Sequence, residues 1–358
     1  MEHIMQIINN TSETIIFEDL KYYFHPEEVC FFDIETTGFS AEHTKLYLIG
    51  CCTITNNKLH IIQWFNDDGN SEASLIRSFM DYISNYKFLL HYNGDGFDKP
   101  YIEKKCATFG IKNKIPTLTN IDLYKKLKPF KNFLHFDNLK LKTVEQFIGI
   151  SRDDKYTGGE LIPVYNDYLK HHSKQAFDLL MLHNFEDLEN LVQCFALLTL
   201  MNLTTGNFEL HNLSVKDNNL CFFLMLPTSM PKRVVYSKKG IVISIYKTSV
   251  TVSVPIIEDT LKMFYDNPTE YYYLPAEDVA IHKSVATYVD KSFREQAKRE
   301  NCYCNVQGIF VTQLDGNIAT PYKKKYNDKE SYVMLIDSFL ENSELLHQYI
   351  TFILNNII

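Results

Sequence analysis

Residues 29–38 read Val-Cys-Phe-Phe-Asp33-Ile-Glu35-Thr-Thr-Gly38. Four apolar residues lead into two acids one residue apart, and a Thr-Thr-Gly turn closes the stretch. A short apolar run bounded by turn residues reads as a buried strand. Residues i and i+2 of a strand share a face, so Asp33 and Glu35 project together. Two like charges placed there raise each other's pKa and cost stability unless a cation sits between them. A strand end with two solvated acids is the plainer reading of an isolated Asp-x-Glu, and the rest of the chain decides between them.

Downstream, Lys45–Thr55 and Lys58–Phe65 read as two strands joined at Asn56-Asn57, a hairpin signal. Ser71–Asn85 carries Leu75, Ile76, Phe79, Met80 and Ile83 at helical spacing. Phe88–His91 is a brief apolar strand that runs into the loop Tyr92-Asn93-Gly94-Asp95-Gly96-Phe97-Asp98, and Lys99–Phe109 is a helix with Pro100 in its first turn. Upstream, Met1–Glu28 is a preamble with an edge strand expected at Thr14–Phe17. Strand, hairpin, helix, strand and helix in this order make a mixed sheet covered by helices, an α/β or α+β domain.

Asp122 follows a short apolar approach within Thr119–Leu127. Leu139–Ile148 reads as a helix, Gly158-Gly159 as part of a loop, and Lys174 to about Met201 as one long helix. On that helix His183 and Asp187 are four apart, hence about one turn from each other on one face. Thr204-Thr205-Gly206-Asn207 breaks the pattern, which sets the expected boundary: a domain over 1–204, and a smaller α+β domain over 205–358. Strands are expected in the latter at Phe208–Leu213, Asn219–Leu226, Arg233–Tyr236, Gly240–Lys247, Ser249–Pro255 and around Cys302–Leu314. Helices are expected around Asp259–Phe264, Ala276–Glu300 and Ser331–Asn355.

At 358 residues, with 45% hydrophobic and 22% charged residues, the chain has the composition of a soluble globular protein with a sizeable core. No run approaches a membrane span, and Met1–Asn10 lacks the features of a signal peptide. The eight cysteines contain no CxxC pair, so reduced thiols in a cytoplasmic protein are the economical reading. Net charge is −8, which opposes nucleic-acid binding by the chain as a whole. Between Lys99 and Lys142, however, eleven lysines meet only three acids, Glu103, Asp122 and Asp137. A charge run is usually a solvated face. Here Tyr101, Phe109, Tyr124, Phe130, Phe133 and Phe136 interleave with the lysines, as a groove that stacks bases and tracks phosphates would require.

Four acids, Asp33, Glu35, Asp98 and Asp187, fall where one metal site could use them. Mg²⁺ or Mn²⁺ prefers carboxylate oxygens and keeps positions for water and phosphate. Two such ions activate a water and stabilise the leaving oxygen of a phosphodiester. His183, one turn before Asp187, could accept the water's proton.

FFDIETTG, LLHYNGDGFDKP and HNFED, in that order, resemble the three motifs of the DEDD (DnaQ-like) 3′→5′ exonucleases, most nearly their YprB-type RNase H-like domain. The second motif is also similar to the N-x-x-x-F-D of the proofreading exonucleases of family B polymerases. That alignment selects Asp98, not Asp95, as the motif acid, and begins at Asn93. The resemblance covers roughly residues 28–200. It implies an RNase H-like mixed five-stranded sheet flanked by helices, and metal-dependent 3′→5′ cleavage of single-stranded DNA or RNA. In one respect the chain departs from it: His183 and Asp187 have three residues between them, the spacing of the tyrosine rather than the histidine class.

The expected site therefore has Asp33, Glu35, Asp98 and Asp187 holding two ions and His183 handling the proton. Thr36, Thr37, Gly38 and Asn93 are the expected substrate-binding residues. His91 is the competing histidine, with a satisfied strand-end residue as its plainer reading. Asp95 reads as a turn residue and Asp122 as a supporting one. The Tyr271–Tyr273 triplet and Lys323–Lys325 read as surface and packing features. An RNase H-like endonuclease, or a non-catalytic nucleic-acid-binding or scaffold protein, is the alternative. The C-terminal domain carries no recognised motif; a substrate clamp and a docking module for a protein partner are equally open for it.

Overall fold

The computed structural model describes residues 5–12 and 19–358. The chain divides into two compact units, Met1–Leu200 with Thr228–Lys232, and Met201–Pro227 with Arg233–Ile358.

The first unit is built on a six-stranded sheet. Its strands are β1 (Met5–Ser12), β2 (Val29–Thr36), β3 (Leu46–Thr55), β4 (Lys58–Asn66), β5 (Phe88–His91) and β6 (Thr119–Asp122), in the order β1-β4-β3-β2-β5-β6. The pairs β1–β4, β4–β3 and β3–β2 are antiparallel, whereas β2–β5 and β5–β6 are parallel. The helices are α1 (Leu20–Tyr23), α2 (Glu72–Ile83), α3 (Asp98–Phe109), α4 (Leu123–Leu127), α5 (Leu141–Ile148), α6 (Gly158–His171) and α7 (Lys174–Cys194). α8 (Thr199–Thr205) follows a 3₁₀ turn at Phe195–Leu198.

Alternation along β2 separates two layers. Phe32 and Ile34 join a core with Leu75, Ile76 and Phe79 of α2 and Tyr101 and Ile102 of α3. Asp33 and Glu35 point the other way, toward α7. On that face Tyr47 and Phe65 form a second core with Leu161, Tyr165 and Tyr168 of α6 and Leu180 of α7.

The mixed sheet flanked by helices is the expected architecture, with six strands in place of five. The edge strand lies at Met5–Ser12; the expected one at Thr14–Phe17 falls outside the described residues. Met-Gln-Ile-Ile-Asn-Asn-Thr-Ser is too polar to read as a strand alone, and it is held by pairing with β4 along its whole length. α6 was expected as a loop because of Gly158-Gly159. Those glycines instead open a helix whose capping box joins Thr157 and Glu160. Leu161, Tyr165 and Tyr168 then form its buried stripe. The single helix expected over 174–201 breaks at the 3₁₀ turn.

The second unit contains an antiparallel sheet region. β7 (Glu209–Lys216), β8 (Asn219–Lys238), β9 (Ile241–Phe264), β13 (Tyr303–Thr312), β14 (Tyr322–Lys323) and β15 (Tyr332–Met334) assemble in the order β13-β15-β14-β9-β8-β7, with β13 also paired to β9. β10 (Tyr271–Leu274), β11 (Val279–His282) and β12 (Glu295–Gln296) form a small separate sheet, accompanied by α9 (Lys283–Ala286). α10 (Asp337–Leu340) and α11 (Ser343–Ile357) close the chain; Tyr349 of α11 donates to the Thr312 carbonyl at 2.7 Å.

Several expectations for this unit are corrected. The strands expected at Asn219–Leu226 and Arg233–Tyr236 are one strand, β8, and those at Gly240–Lys247 and Ser249–Pro255 are one strand, β9. Ser331–Asn355 is not one helix but β15, α10 and α11. Asp259–Phe264 is not helical: it is the end of the 24-residue strand β9, paired residue by residue with β13. Ala276–Glu300 is not one helix but β11, α9, a 3₁₀ turn and β12, because its apolar residues lack a sustained helical stripe. All eight cysteines are free thiols, seven of them buried. No helix among the described residues is long and apolar enough to cross a membrane.

Candidate active site

Three elements bring the four acids together. β2 supplies Asp33 and Glu35, the first turn of α3 supplies Asp98, and α7 supplies Asp187 with His183. All five line one cleft of about 760 Å³, within the roughly 300–1,000 Å³ usual for small-ligand sites. Glu35, His183 and Asp187 each offer a ligand atom within 4.8 Å of one another.

Close approach of α7 to the sheet makes this possible. Asp33 pairs across the sheet with Gly50. A Cβ on Gly50 would lie 2.1 Å from Oδ1 of Asn184 and 2.6 Å from Cδ1 of Leu188. With that space free, Asn184 seats on the sheet and donates Nδ2–H to Oδ2 of Asp33 at 2.9 Å. Gln63 donates in turn to Oδ1 of Asn184 at 3.0 Å. On the other side Tyr47, stacked on Tyr165 of α6, places its hydroxyl 3.4 Å from Oε2 of Glu35.

The acids stand in a strained electrostatic balance. Burial, then Asp187, Glu35 and Asp98, holds Asp33 well above the usual carboxylate range, against the hydrogen bond from Asn184. Burial pushes Glu35 up to about 7, with His183 opposing and Asp187 and Asp98 adding to the rise. Asp98 is likewise pushed up to about 7 by burial, despite backbone N–H groups that favour its charge. A buried set of oxygen donors that repel one another's charge fits a hard divalent cation.

His183 meets three carboxylates. Its Nδ1 lies 2.7 Å from Oδ2 of Asp154, and its Nε2 lies 3.4 Å from Glu35 and 3.6 Å from Asp187. Burial lowers its pKa, but Glu35, Asp187 and Asp154 outweigh that and raise it. Asp154 is itself anchored by Lys142 at 3.0 Å and by the Tyr156 N–H at 2.9 Å. Arg152 forks onto Glu145 and also pairs with Asp187. Asp154, Arg152, Glu145 and Asn184 all escaped sequence reasoning. Asn184 left a signal, being next to His183 and three residues before Asp187, and Glu145 and Arg152 fall in the stretch 139–152 that shares the resemblance.

The four residues expected at the substrate sit differently. Asn93 lines the cleft in a left-handed conformation (φ 58°), and its N–H donates to Asp122 at 2.8 Å. Thr36, Thr37 and Gly38 bond across the loop between β2 and β3: Thr36 Oγ1 donates to the Gly38 carbonyl at 2.9 Å, and Thr37 Oγ1 accepts from the Lys45 N–H at 2.8 Å. The next residue, Phe39, lines the cleft with 92% exposure, edge-on to Phe97. An aromatic directly after the turn was its signal.

His91 is not a satisfied strand-end residue. It is buried, neither ring nitrogen has a hydrogen-bond partner, and burial drives its pKa down to about 4. The Asp95 and Asp122 carboxylates lie 3.8 Å away. Asp122 carries the supporting role expected of it, accepting from the N–H groups of Asn93 and Asp95 and capping α4.

The lysine-aromatic groove expected over 99–142 is corrected. Tyr101, Phe130, Phe133 and Phe136 are buried in the core, since rings at helical spacing pack into a core before they serve as a platform. Lys99 and Lys125 both pair with Asp95, Lys105 with Glu72, Lys114 with Asp81 and Lys142 with Asp154. Of the residues proposed for the groove, Tyr124 and Lys140 line the cleft.

Residues 30–199 match the family model of the RNase_H superfamily. That stretch is an RNase H-like domain. Among solved structures, the family B DNA polymerase from the hyperthermophilic archaeon Pyrobaculum calidifontis is similar at 14% identity and a TM-score of 0.42. The alignment covers 70% of this chain and 39% of the polymerase. No curated protein matches the sequence.

Proposed function

We propose that the chain is a cytoplasmic 3′→5′ exonuclease, dependent on Mg²⁺ or Mn²⁺, that hydrolyses phosphodiester bonds of single-stranded DNA or RNA. One observation carries the reading: Asp33, Glu35, Asp98 and Asp187 reach a single cleft from three separate elements, with three of the four carboxyls driven above their ordinary range. The 3′→5′ direction rests on the resemblance of the three motifs.

In this reading the four acids hold two divalent ions. Such ions, when bound, favour ionisation of a water and stabilise the leaving oxygen. The chain's own contribution is orientation and proton handling. Asn184 fixes the Asp33 carboxylate. Asp154 holds Nδ1 of His183 and so leaves Nε2 to orient the attacking water or take its proton. Phe39 and Tyr124 offer ring faces to unpaired bases, which a duplex would keep stacked on one another. Lys140 offers a charge to a phosphate, and Asn93 a polar group to the terminal nucleotide. The second domain, taken from residue 205, holds substrate or docks a partner in this scheme.

End-labelled single strands of RNA and of DNA, with the 3′ end free or blocked, test the proposal in the presence of Mn²⁺. Mononucleotide release confined to free 3′ ends supports it. Internal fragments from blocked strands make the protein an endonuclease, and retention without cleavage makes it a binder.

A further inference from the structure

The second unit carries a surface that the cleft does not use. α9 and the 3₁₀ turn at Lys291–Phe293 lie beside the small sheet of β10, β11 and β12. Two rings stand nearly free of it: Tyr288 is 93% exposed and Phe293 65%. Both rings lie within one six-residue segment, and exposed rings beside cations are available for binding. A third ring, Tyr272 of β10, has the Lys283 Nζ 5.2 Å and the Arg294 guanidinium 4.7 Å from its centre.

This surface is locally basic, as the stretch 99–142 of the first unit is. Residues 283–300 hold five basic side chains (Lys283, Lys291, Arg294, Lys298 and Arg299) against Asp290, Glu295 and Glu300, in a chain of net charge −8. Asp290 is exposed and caps the 3₁₀ turn, accepting from the N–H and the hydroxyl of Ser292 at 2.8 and 2.7 Å. The scaffold is also braced. Arg294 donates to the Ala286 carbonyl at the end of α9 while lying against Tyr272, which ties the turn, the helix and the sheet together.

We propose that Tyr272, Lys283, Tyr288, Lys291, Phe293 and Arg294 form a binding site for single-stranded nucleic acid on the second unit. Exposed rings take unpaired bases by stacking, and the cations between them take phosphates; single strands present both at once. A duplex hides its base faces, so it would leave the rings unused. An acidic peptide would satisfy the cations and leave the same rings in water, and an apolar partner would have to desolvate the cations. A strand held here stays at high local concentration for the rest of the chain, which gives the C-terminal unit a role independent of the chemistry.

Fluorescence anisotropy of a labelled 20-residue oligodeoxythymidine, titrated with the full chain in EDTA, tests this without hydrolysis. Replacing both rings (Tyr288→Ala with Phe293→Ala) is expected to weaken binding at least tenfold, since stacking contributes about 1–3 kcal/mol per base. Lys291→Glu, at an exposed position, is expected to weaken binding and to flatten its dependence on log salt by roughly 0.7 for each phosphate left without its cation. It supplies the reading on its own if the double variant is destabilised. Unchanged affinity and salt slope in Lys291→Glu and in a folded double variant would overturn the proposal, as would retention of an acidic peptide with no oligonucleotide affinity for the patch. Because the titration is run without metal, failure of the exonuclease reading would leave these affinities as they are.

Discussion

Nδ1 of His183 lies 2.7 Å from Oδ2 of Asp154, a carboxylate 29 residues earlier in the chain and shut off from solvent. The pair fixes which ring nitrogen faces the cleft. In the proposed mechanism a histidine at the spacing of the tyrosine class would be aimed by this partner from outside the motif.

Asp154→Ala should therefore reduce kcat by about 10–100-fold, the usual cost of losing a carboxylate behind a working histidine, with KM little changed. Asp154→Asn, which keeps an acceptor for Nδ1–H, should recover part of that loss. Steady-state kinetics on a single-stranded oligomer measure both. Equal losses in the two variants would mean that Asp154 acts only on folding.

Asp33→Asn should abolish degradation and leave the fold intact. Removing a charge from the crowded cluster should also keep the metal-free protein at least as thermally stable as the parent. Melting curves in EDTA and activity with Mn²⁺ read the two effects separately. Full metal-dependent activity in this variant would remove Asp33 from the mechanism.

The raised carboxyls set the direction of the pH response. Glu35 and Asp98 are each pushed from ordinary values of 4.5 and 3.8 to about 7 in the folded chain. Between those limits the unfolded chain has released protons that the folded one still holds, so stability falls as pH rises. His183, also raised, adds to the fall because its charged form is the one the fold favours. The melting temperature in EDTA should accordingly drop from about pH 4.5 to about pH 7.5. Glu35→Gln should flatten that slope, and Mg²⁺ should restore stability at the upper end.

Gly50→Ala puts a methyl group where Asn184 and Leu188 already sit. Overpacking of this kind costs about 1–3 kcal/mol. The variant should melt earlier and lose activity, because displaced Asn184 no longer holds Asp33. Denaturant titration and turnover measured together check that the two losses coincide.

Lys140 and Lys99 should separate in salt titrations of substrate binding. Lys140 is exposed on the cleft wall, so Lys140→Ala should flatten the log–log salt slope by roughly 0.7 for each phosphate it neutralises. Lys99 is already paired with Asp95 at 2.6 Å, and Lys99→Ala should leave the slope unchanged.

The acids were legible because motif chemistry is local. Asp33 and Glu35 declare a shared face by their spacing, and Asp98 stands at the junction of a strand-loop and a helix containing Pro100. His183 and Asp187 are one helical turn apart. What surrounds them was not legible, because it depends on pairings between distant segments. Asp154 and Arg152 sit in an irregular stretch with no periodicity to read, and they matter only once that stretch lies beside α7. α6 was hidden by two glycines that suggest a loop, although Thr157 and Glu160 carried the capping signal. Lysine pattern misled for a related reason: a basic run shows charge, but not the carboxylates that Asp95, Glu72, Asp81 and Asp154 supply from elsewhere. In the second unit, β9 continues through Asp259 and Lys262 because β13 pairs with it, which no local propensity records.

The hydrogen bond from Asn184 to Asp33 joins residues 151 positions apart, and that separation bears on how the protein is made. A ribosome releases β2 long before it releases α7, and domains fold as units from the N-terminal end. Until α7 docks, the strand with its two acids exists without Asn184, His183 or Asp187. A nascent or truncated chain that stops short of α7 therefore carries the opening motif without Asn184, His183 and Asp187, its partners across the cleft.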